Sequence, residues 1–183
     1  MSSFNALVNS SITQKTRIIS KETFSQNLYI DLIKIYKANV AFATNSQITM
    51  MLQDDSKMEN ADFSSITMFV CTGTNISRAL LRKLKQYLPE GIIINSYSMV
   101  EAGGGVANIF NPEVENCVGK LFANVSIKIM NDKRKQVGVG ESGELVVKSP
   151  FPFKGYYNDP QSIKKAINDD GWFLTGDLGH ICE

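Results

Sequence analysis

The chain has 183 residues, of which 43% are hydrophobic and 20% charged, and its formal net charge is +1. This length is enough for one domain, or for a domain with a small subdomain, around a buried core. The composition indicates neither a disordered nor a fibrous protein. The near-zero charge argues against a nucleic-acid-binding protein, which needs a basic excess on at least one face.

The few cysteines and the single histidine exclude further classes of protein. The three cysteines lie far apart and form no C-x-x-C pair, which argues against a disulfide framework or a zinc site and favours a reducing, intracellular compartment. No apolar run approaches the roughly 18 residues of a membrane-spanning helix. A Ser-His-Asp or Cys-His hydrolase would have to use His180, close to the last residue, and we expect a surface or packing role for it instead.

Helical patterns occur three times in the first half of the chain. Apolar residues spaced by three and four predict a helix over Lys21–Lys37 whose inward face is formed by Phe24, Leu28, Leu32 and Ile35. Asn45 is a candidate N-cap for a second helix, with inward residues Ile48, Met51 and Leu52. Ser77 is the candidate N-cap of a third, which would pack through Leu80, Leu81, Leu84 and Leu88.

Short apolar runs between these helices predict strands at Val40–Ala43, Ile66–Cys71 and Ile92–Ile94. Strands that alternate with helices at this spacing indicate an α/β fold with a parallel or mixed sheet covered by helices.

The pattern changes near residues 111–117. Beyond them the chain has short alternating runs around Val125–Ile129 and Glu144–Val147, separated by hairpin-type turns. A helix is predicted after Asp159, with Pro160 at its first position. We therefore predict an α/β portion at residues 1–113 and a small β-rich, barrel-like subdomain at residues 114–183.

The residues with most chemical potential follow the third strand, in the segment N-S-Y-S-M-V-E-A-G-G-G over residues 95–105. In open α/β sheets, ligands bind at the carboxyl ends of the strands. Tyr97 offers an aromatic face, Glu101 a carboxylate for a hard cation, and the glycines a close approach to the backbone. For this segment alone, a polar turn with a flexible glycine hinge is the favoured interpretation, because a glycine-rich loop after a strand is a weak signal.

Three further motifs, taken in order, resemble one protein family. They are C-T-G-T-N-I-S at residues 71–77, G-E-L-V-V-K-S-P followed by G-Y-Y-N-D-P at residues 143–160, and G-W-F-L-T-G-D-L-G at residues 171–179. With S-Y-S-M-V-E-A-G-G, they are similar to the signatures of the AMP-forming (adenylating) synthetases, above all the insect luciferase-like and coumarate-CoA-ligase-like acyl-CoA synthetases. The resemblance runs from about Arg17 to the end of the chain, and it implies part of the large N-terminal domain of such an enzyme.

The resemblance implies an activity and a set of site residues. Family members join a carboxylic acid to ATP, forming an acyl-adenylate and pyrophosphate, and then transfer the acyl group to a thiol such as CoA. Gly73 and Thr74 are expected to line the adenine site, and Tyr97, flanked by Ser96 and Ser98, to stack beside the base. Glu101 is expected to hold Mg²⁺, Asp177 to bind the ribose hydroxyls, and Gly104 and Gly105 to border the acyl pocket.

The chain departs from the family pattern at several of these positions. Val100 stands where the family has a threonine whose hydroxyl contacts phosphate, so a contact worth roughly 1–3 kcal/mol is expected to be missing. Ser96 and Ser98 replace the two glycines beside the tyrosine, and Asn75 replaces a proline.

Other family features are absent from these residues. We find no Ser/Thr/Gly-rich phosphate loop ending in lysine, because the serines at positions 2, 3, 10 and 11 lack its glycines and lysine. We also expect the C-terminal lid domain of the family, with its catalytic lysine, to be missing from these 183 residues. We therefore expect an inactive fragment of an acid–CoA ligase, low solubility, and exposed apolar surface near residues 4–8 and 40–52.

Two alternatives remain open at this stage: a non-catalytic relative with weak nucleotide binding at most, and a luciferase-like adenylating oxygenase. The expected partners are a small carboxylic acid, ATP and CoA, with no nucleic acid, no membrane span and no specific protein partner. An intracellular location is expected, and the family makes a peroxisomal one conceivable.

Overall fold

The computed structural model describes residues 10–74, 76–110, 117–151 and 153–182. The chain divides into two compact units: Met1–Ser98 with Ala107–Lys120, and Met99–Val106 with Leu121–Glu183. The boundary predicted between residues 113 and 114 falls outside the described residues and stays a prediction.

A mixed five-stranded sheet lies mainly in the first unit. Its strands follow the order β1 (Val40–Thr44), β2 (Met68–Thr72), β3 (Ile92–Met99), β4 (Gly104–Phe110) and β5 (Lys120–Leu121). β1, β2 and β3 are parallel, with Thr44 opposite Thr72 and Cys71 opposite Asn95. Only four residues join β3 to its neighbour β4, which is the length of an antiparallel hairpin and too short for a parallel crossover.

Helices α1 (Gln26–Tyr36), α2 (Asn45–Met51), α3 (Asp55–Glu59) and α4 (Arg78–Tyr87) accompany these strands. The cap predicted at Ser77 is confirmed, because its side chain accepts a hydrogen bond from the Leu80 N–H. The cap predicted at Asn45 is wrong by one residue. Thr44 caps α2 in a reciprocal capping box with Gln47, and Asn45 is the first helical residue.

The first predicted helix exists, but its start and its inward face differ from the prediction. It begins at Gln26, because the Ser25 side chain caps it. Ile33 is the residue of α1 that becomes buried, whereas Ile35, predicted to face inward, is 69% exposed. The helix carries apolar residues on two faces, so periodicity alone could not decide which of them meets the core.

The core of the first unit fills the space between the sheet and its helices. Its largest fully buried side chains are Phe69, Ile48, Met51, Met58 and Leu84. The predicted exposure of apolar residues is seen at Phe42 and Met50, which are 52% and 45% exposed. Residues 4–8, for which exposure was also predicted, lie outside the described residues.

The second unit contains a three-stranded antiparallel sheet of β6 (Ser126–Met130), β7 (Gly143–Lys148) and β8 (Phe173–Gly179). The predicted β-rich character is confirmed, because these three strands form a small antiparallel sheet within the described residues. Helix α5 (Pro160–Ala166) begins as predicted, with Asp159 as its N-cap and proline at its first position. Within the described ranges, no helix has the length and apolar character needed to cross a membrane.

Candidate functional site

In the first unit, the predicted site residues lie at the carboxyl ends of parallel strands. Gly73 follows β2 with a φ of +98°, a backbone conformation that favours glycine. The next residue, Thr74, is held by Asn45, the first residue after β1, whose Nδ2 donates to the Thr74 carbonyl and hydroxyl oxygens at 2.9 Å each. Asn75, which replaces a family proline, lies outside the described residues. The parallel register therefore brings Asn45 and the Gly73–Thr74 turn together, as expected for a ligand-binding strand edge.

Ser96, Tyr97 and Ser98 do not lie in a loop after the third strand, as the sequence suggested. They are part of β3, which continues to Met99. The strand is longer than its apolar run because β4 returns beside it after four residues. Ser96 and Tyr97 are half-buried, and Ser98 is exposed.

In the second unit, Val100 and Glu101 lie in the turn between β3 and β4. The Gly103 N–H donates to the Val100 carbonyl at 2.9 Å and closes this turn. The Val100 side chain is 58% exposed, so hydrophobic packing does not explain its departure from threonine.

Glu101 is bound by a tyrosine from a distant part of the sequence. The Tyr156 hydroxyl donates to Glu101 Oε1 at 2.8 Å. This hydrogen bond, partial burial and the negative charge of Glu101 raise the pKa of Tyr156, since each of them favours the protonated phenol that donates to the carboxylate. Among the described residues, Glu101 makes no other hydrogen bond, which leaves its second oxygen available as a ligand.

Two more contacts hold the same turn. The Ser149 hydroxyl donates to the Ala102 carbonyl at 2.7 Å. Phe151 lies against Gly103, where a Cβ would come within 2.6 Å of the Phe151 Cβ. The motif that ends β7 therefore supports the turn that carries Glu101.

Gly104 and Gly105 were expected to leave room for an acyl group. Gly104 is buried at a φ of +139°. Beside Gly105, however, the ring of Phe122 fills the space, since a Cβ there would lie 2.7 Å from Phe122 Cε2. A ring therefore occupies the side of Gly105 that lacks a Cβ, and the acyl-pocket role of the two glycines stays a prediction.

Asp177 lies exposed on β8 after a glycine that shapes the backbone. Gly176 has a φ of +75°, and its N–H donates to Glu144 Oε1 at 3.2 Å. The Thr175 hydroxyl accepts from the Asp177 N–H at 3.0 Å and donates to the Leu145 carbonyl at 2.7 Å. These bonds fix the backbone at Asp177, which is an exposed residue.

An open groove of about 690 Å³ runs beside this corner of the second unit. Tyr156, Thr175 and Gly176 line it, together with the ion pair between Arg134 and Glu144, whose Nη1 and Oε2 are 3.1 Å apart. The groove therefore connects the surroundings of Asp177 with the tyrosine that binds Glu101.

The fit of the site to Mg²⁺ can be tested on its donor set. Within the ranges that the structure describes, no cluster of three or more His, Cys, Asp or Glu residues could cage a metal ion. Mg²⁺ that travels with a nucleotide needs only one or two protein carboxylates, because phosphates and water complete its octahedron. The single carboxylate of Glu101, with one oxygen available, fits that second mode of binding.

Sequence reasoning assigned no role to Tyr156, Ser149 or Phe122. Tyr156 and Ser149 lie inside motifs that were noticed, but nothing local shows that a residue 55 positions away from Glu101 meets its carboxylate. The only signal in the sequence was that two successive motifs, at residues 95–105 and 143–160, contain a carboxylate, Glu101, and an uncharged donor, Tyr156.

Comparison with known proteins agrees with this fold. Residues 7–157 match the family described as AMP-binding enzyme. The chain is 31% identical over 140 residues to 4-coumarate--CoA ligase-like 6 of Oryza sativa subsp. japonica, which covers 74% of this chain and 23% of that protein. It spans 22–34% of the length of the curated relatives that it matches.

Two solved structures share the fold at 24% identity. One is the luciferase-like enzyme from the nonluminescent Zophobas morio mealworm, with a TM-score of 0.84 over 95% of this chain and 42% of that one. The other is the O-succinylbenzoate coenzyme A synthetase of Bacillus subtilis in complex with AMP, with a TM-score of 0.83 over 100% of this chain and 37% of that one. Because the family match covers most of its residues, the chain belongs to the AMP-binding enzyme family.

Proposed function

We propose that this chain is the nucleotide-binding part of an AMP-forming carboxylic acid–thiol ligase. In such a ligase, the carboxylate of the acid substrate attacks the α-phosphate of ATP, and pyrophosphate leaves. A thiol such as CoA then takes the acyl group from the acyl-adenylate and releases AMP. The observation that carries the proposal is the Glu101 carboxylate, held through one oxygen by Tyr156 while the other is available. That arrangement suits a cation shared with a nucleotide, in a chain whose family binds AMP.

Each residue has a physical task in this proposal. In the first unit, Gly73, Thr74 and Tyr97 would contact adenine, with the glycine allowing close approach of the base. In the second unit, Asp177 would accept hydrogen bonds from the ribose hydroxyls, and Glu101 would hold Mg²⁺. Bound there, Mg²⁺ would neutralise charge on the phosphates. The family also suggests further parts of this proposal. They are a small carboxylic acid as substrate, CoA as the acceptor, an acyl pocket bordered by Gly104 and Gly105, and an intracellular location such as the peroxisome.

A nucleotide titration tests the proposal. We expect AMP to bind the purified chain and Asp177→Ala to weaken binding about 10- to 100-fold, because a hydrogen bond to a charged group contributes about 1.5–3 kcal/mol. Asp169→Ala removes another exposed carboxylate and should change nothing. Isothermal titration calorimetry measures both. Equal affinities for the wild type and Asp177→Ala would refute the ribose assignment, and an absence of AMP binding would refute the proposal for this chain.

We also propose that these 183 residues do not complete adenylation alone, since they contain no glycine-rich phosphate loop ending in lysine. Pyrophosphate exchange into ATP, assayed with a fatty and an aromatic acid, should therefore stay at background. Clear exchange would contradict this part of the proposal.

A non-catalytic relative is the second candidate, and the observation that favours it is Val100. Restoring the hydroxyl by Val100→Thr should tighten binding of a Mg²⁺-bound, non-hydrolysable ATP analogue by about tenfold, the effect of one hydrogen bond to a charged phosphate. The change adds no strain to the core, because Val100 is 58% exposed.

Val139→Thr is the matched control, because Val139 is 59% exposed and the substitution is the same. A tenfold gain restricted to position 100 would show that this turn still faces the phosphates. If the two variants behave alike, the turn does not contact them, and the non-catalytic alternative gains support.

A further inference from the structure

Tyr156 is more firmly placed than its 41% exposure suggests. Its ring packs edge-on against Phe153 at 4.9 Å, and Phe153 packs edge-on against the buried Phe173 at 6.0 Å. Phe173 is a strand residue of β8 opposite Val147 of β7. A row of aromatic contacts thus ties the phenol to the sheet of the second unit.

The backbone of Tyr156 is fixed as well. Its carbonyl accepts from the Asp159 N–H at 3.2 Å, and Asp159 is the residue that caps α5. The G-Y-Y-N-D-P motif therefore forms one tight turn that sets both the start of a helix and the direction of the Tyr156 side chain.

The hydroxyl at the end of this row meets the Glu101 carboxylate, for which it is the only hydrogen-bond donor within the described residues. A glutamate has three side-chain torsions, and ordering them on ligand binding costs conformational entropy. A donor that orders the carboxylate beforehand lowers that cost. Tyr156 does so without bringing a positive charge, so the negative potential at the carboxylate is not offset as it would be beside lysine or arginine.

The turn itself is held from the same side. Ser149 binds the Ala102 carbonyl and Phe151 covers Gly103, the two residues that follow Glu101. Residues 149–156 thus make three contacts with the turn, two to its backbone and one to the Glu101 carboxylate. A chance surface contact would involve only one of these.

We propose that Tyr156 is a positioning residue, which orders the Glu101 carboxylate for a divalent cation carried by a nucleotide. This inference rests on the proposed function and deepens it. It assigns to the G-Y-Y-N-D-P motif the task of supporting Glu101, the proposed metal ligand. Residues behind a metal-binding side chain commonly orient it in this way.

Tyr156→Phe tests the inference, because it removes one oxygen atom and leaves the aromatic packing. Tyr157→Phe is the matched control: Tyr157 is the adjacent residue, is 94% exposed, and makes no hydrogen bond within the described part of the chain. The probes are Mn²⁺ with a non-hydrolysable ATP analogue, followed by electron paramagnetic resonance, and metal-free AMP, followed by calorimetry.

We expect Tyr156→Phe to weaken Mn²⁺ binding in the ternary complex at least tenfold, while metal-free AMP binding and thermal unfolding stay at wild-type values. Tyr157→Phe should match the wild type in all three. Equal Mn²⁺ binding in the two variants would overturn the inference, and so would an equal loss of AMP binding in Tyr156→Phe, which would indicate a general structural role.

A second readout separates this inference from the proposed function. If the wild-type chain binds no nucleotide, the proposed function fails, and the ¹³C resonance of the Glu101 carboxyl group then decides the positioning role. A shifted resonance in Tyr156→Phe but not in Tyr157→Phe supports it, and an unchanged resonance refutes it.

Discussion

Phe69→Ala is expected to lower the free energy of unfolding by about 3–5 kcal/mol, a large part of the ~5–15 kcal/mol available to a domain. Phe69 is the second residue of β2, is 1% exposed, and belongs to the core between the sheet and its helices. Truncation leaves a cavity that the surrounding strands cannot close, so the lost transfer free energy and the cavity cost add together. Urea unfolding followed by circular dichroism at 222 nm measures the change, since four helices of the first unit contribute to that signal.

Phe42→Ala provides the comparison for this loss. Phe42 lies on the adjacent strand, opposite Val70, but is 52% exposed. Removing a half-exposed ring should cost about 1 kcal/mol or less, because much of its apolar surface is in water already. Similar losses for the two variants would mean that the core does not lie where the structure places it.

Gly143→Ala should destabilise the sheet of the second unit by about 1–3 kcal/mol. A Cβ at this position would meet the Met130 carbonyl carbon at 2.9 Å and its oxygen closer still, so backbone of β6 or β7 has to move. Trp172, the only tryptophan of the sequence, reports the effect. The centroid of its ring lies 4.2 Å from Nζ of Lys128 in β6 and 5.9 Å from Nζ of Lys148 in β7. Denaturant unfolding followed by Trp172 fluorescence is the measurement.

Gly179→Ala is the natural control, because Gly179 lies opposite Gly143 in the β7–β8 register. A Cβ there meets no atom within 4 Å. This variant should unfold at the wild-type denaturant concentration or a slightly higher one, because alanine lowers the conformational entropy of the unfolded chain. A destabilised Gly179→Ala beside an unaffected Gly143→Ala would contradict the register of this sheet.

Local features of the fold could be predicted from the sequence. The caps at Ser77 and Asp159 depend on one side chain and the N–H group three residues later, so the pattern and the structure agree. The buried strands also followed from their apolar runs. The cap at Thr44 was missed by one residue, because Thr44 and Asn45 are both good caps and the end of β1 decided between them.

Features that depend on a distant neighbour were not within reach. The pattern of α1 allowed two apolar faces, and only the position of the sheet decides that Ile33 is buried while Ile35 is exposed. β3 extends through Ser96–Ser98 because β4 returns beside it. The ring of Phe122 beside Gly105 belongs to a residue 17 positions further along the chain, so the space beside this glycine could not be judged from composition.

The sequence by itself determined the family and the residue types of the site, because ordered motifs with their glycines and carboxylates are local properties of the chain. Only the tertiary structure decided how the Glu101 carboxylate is held. Its partner, Tyr156, lies 55 residues away, and a hydrogen bond depends on the distance between two atoms in space. That distance is set by the turn between β3 and β4, the row of aromatic rings beneath Tyr156, and the start of α5, none of which is visible in either motif alone.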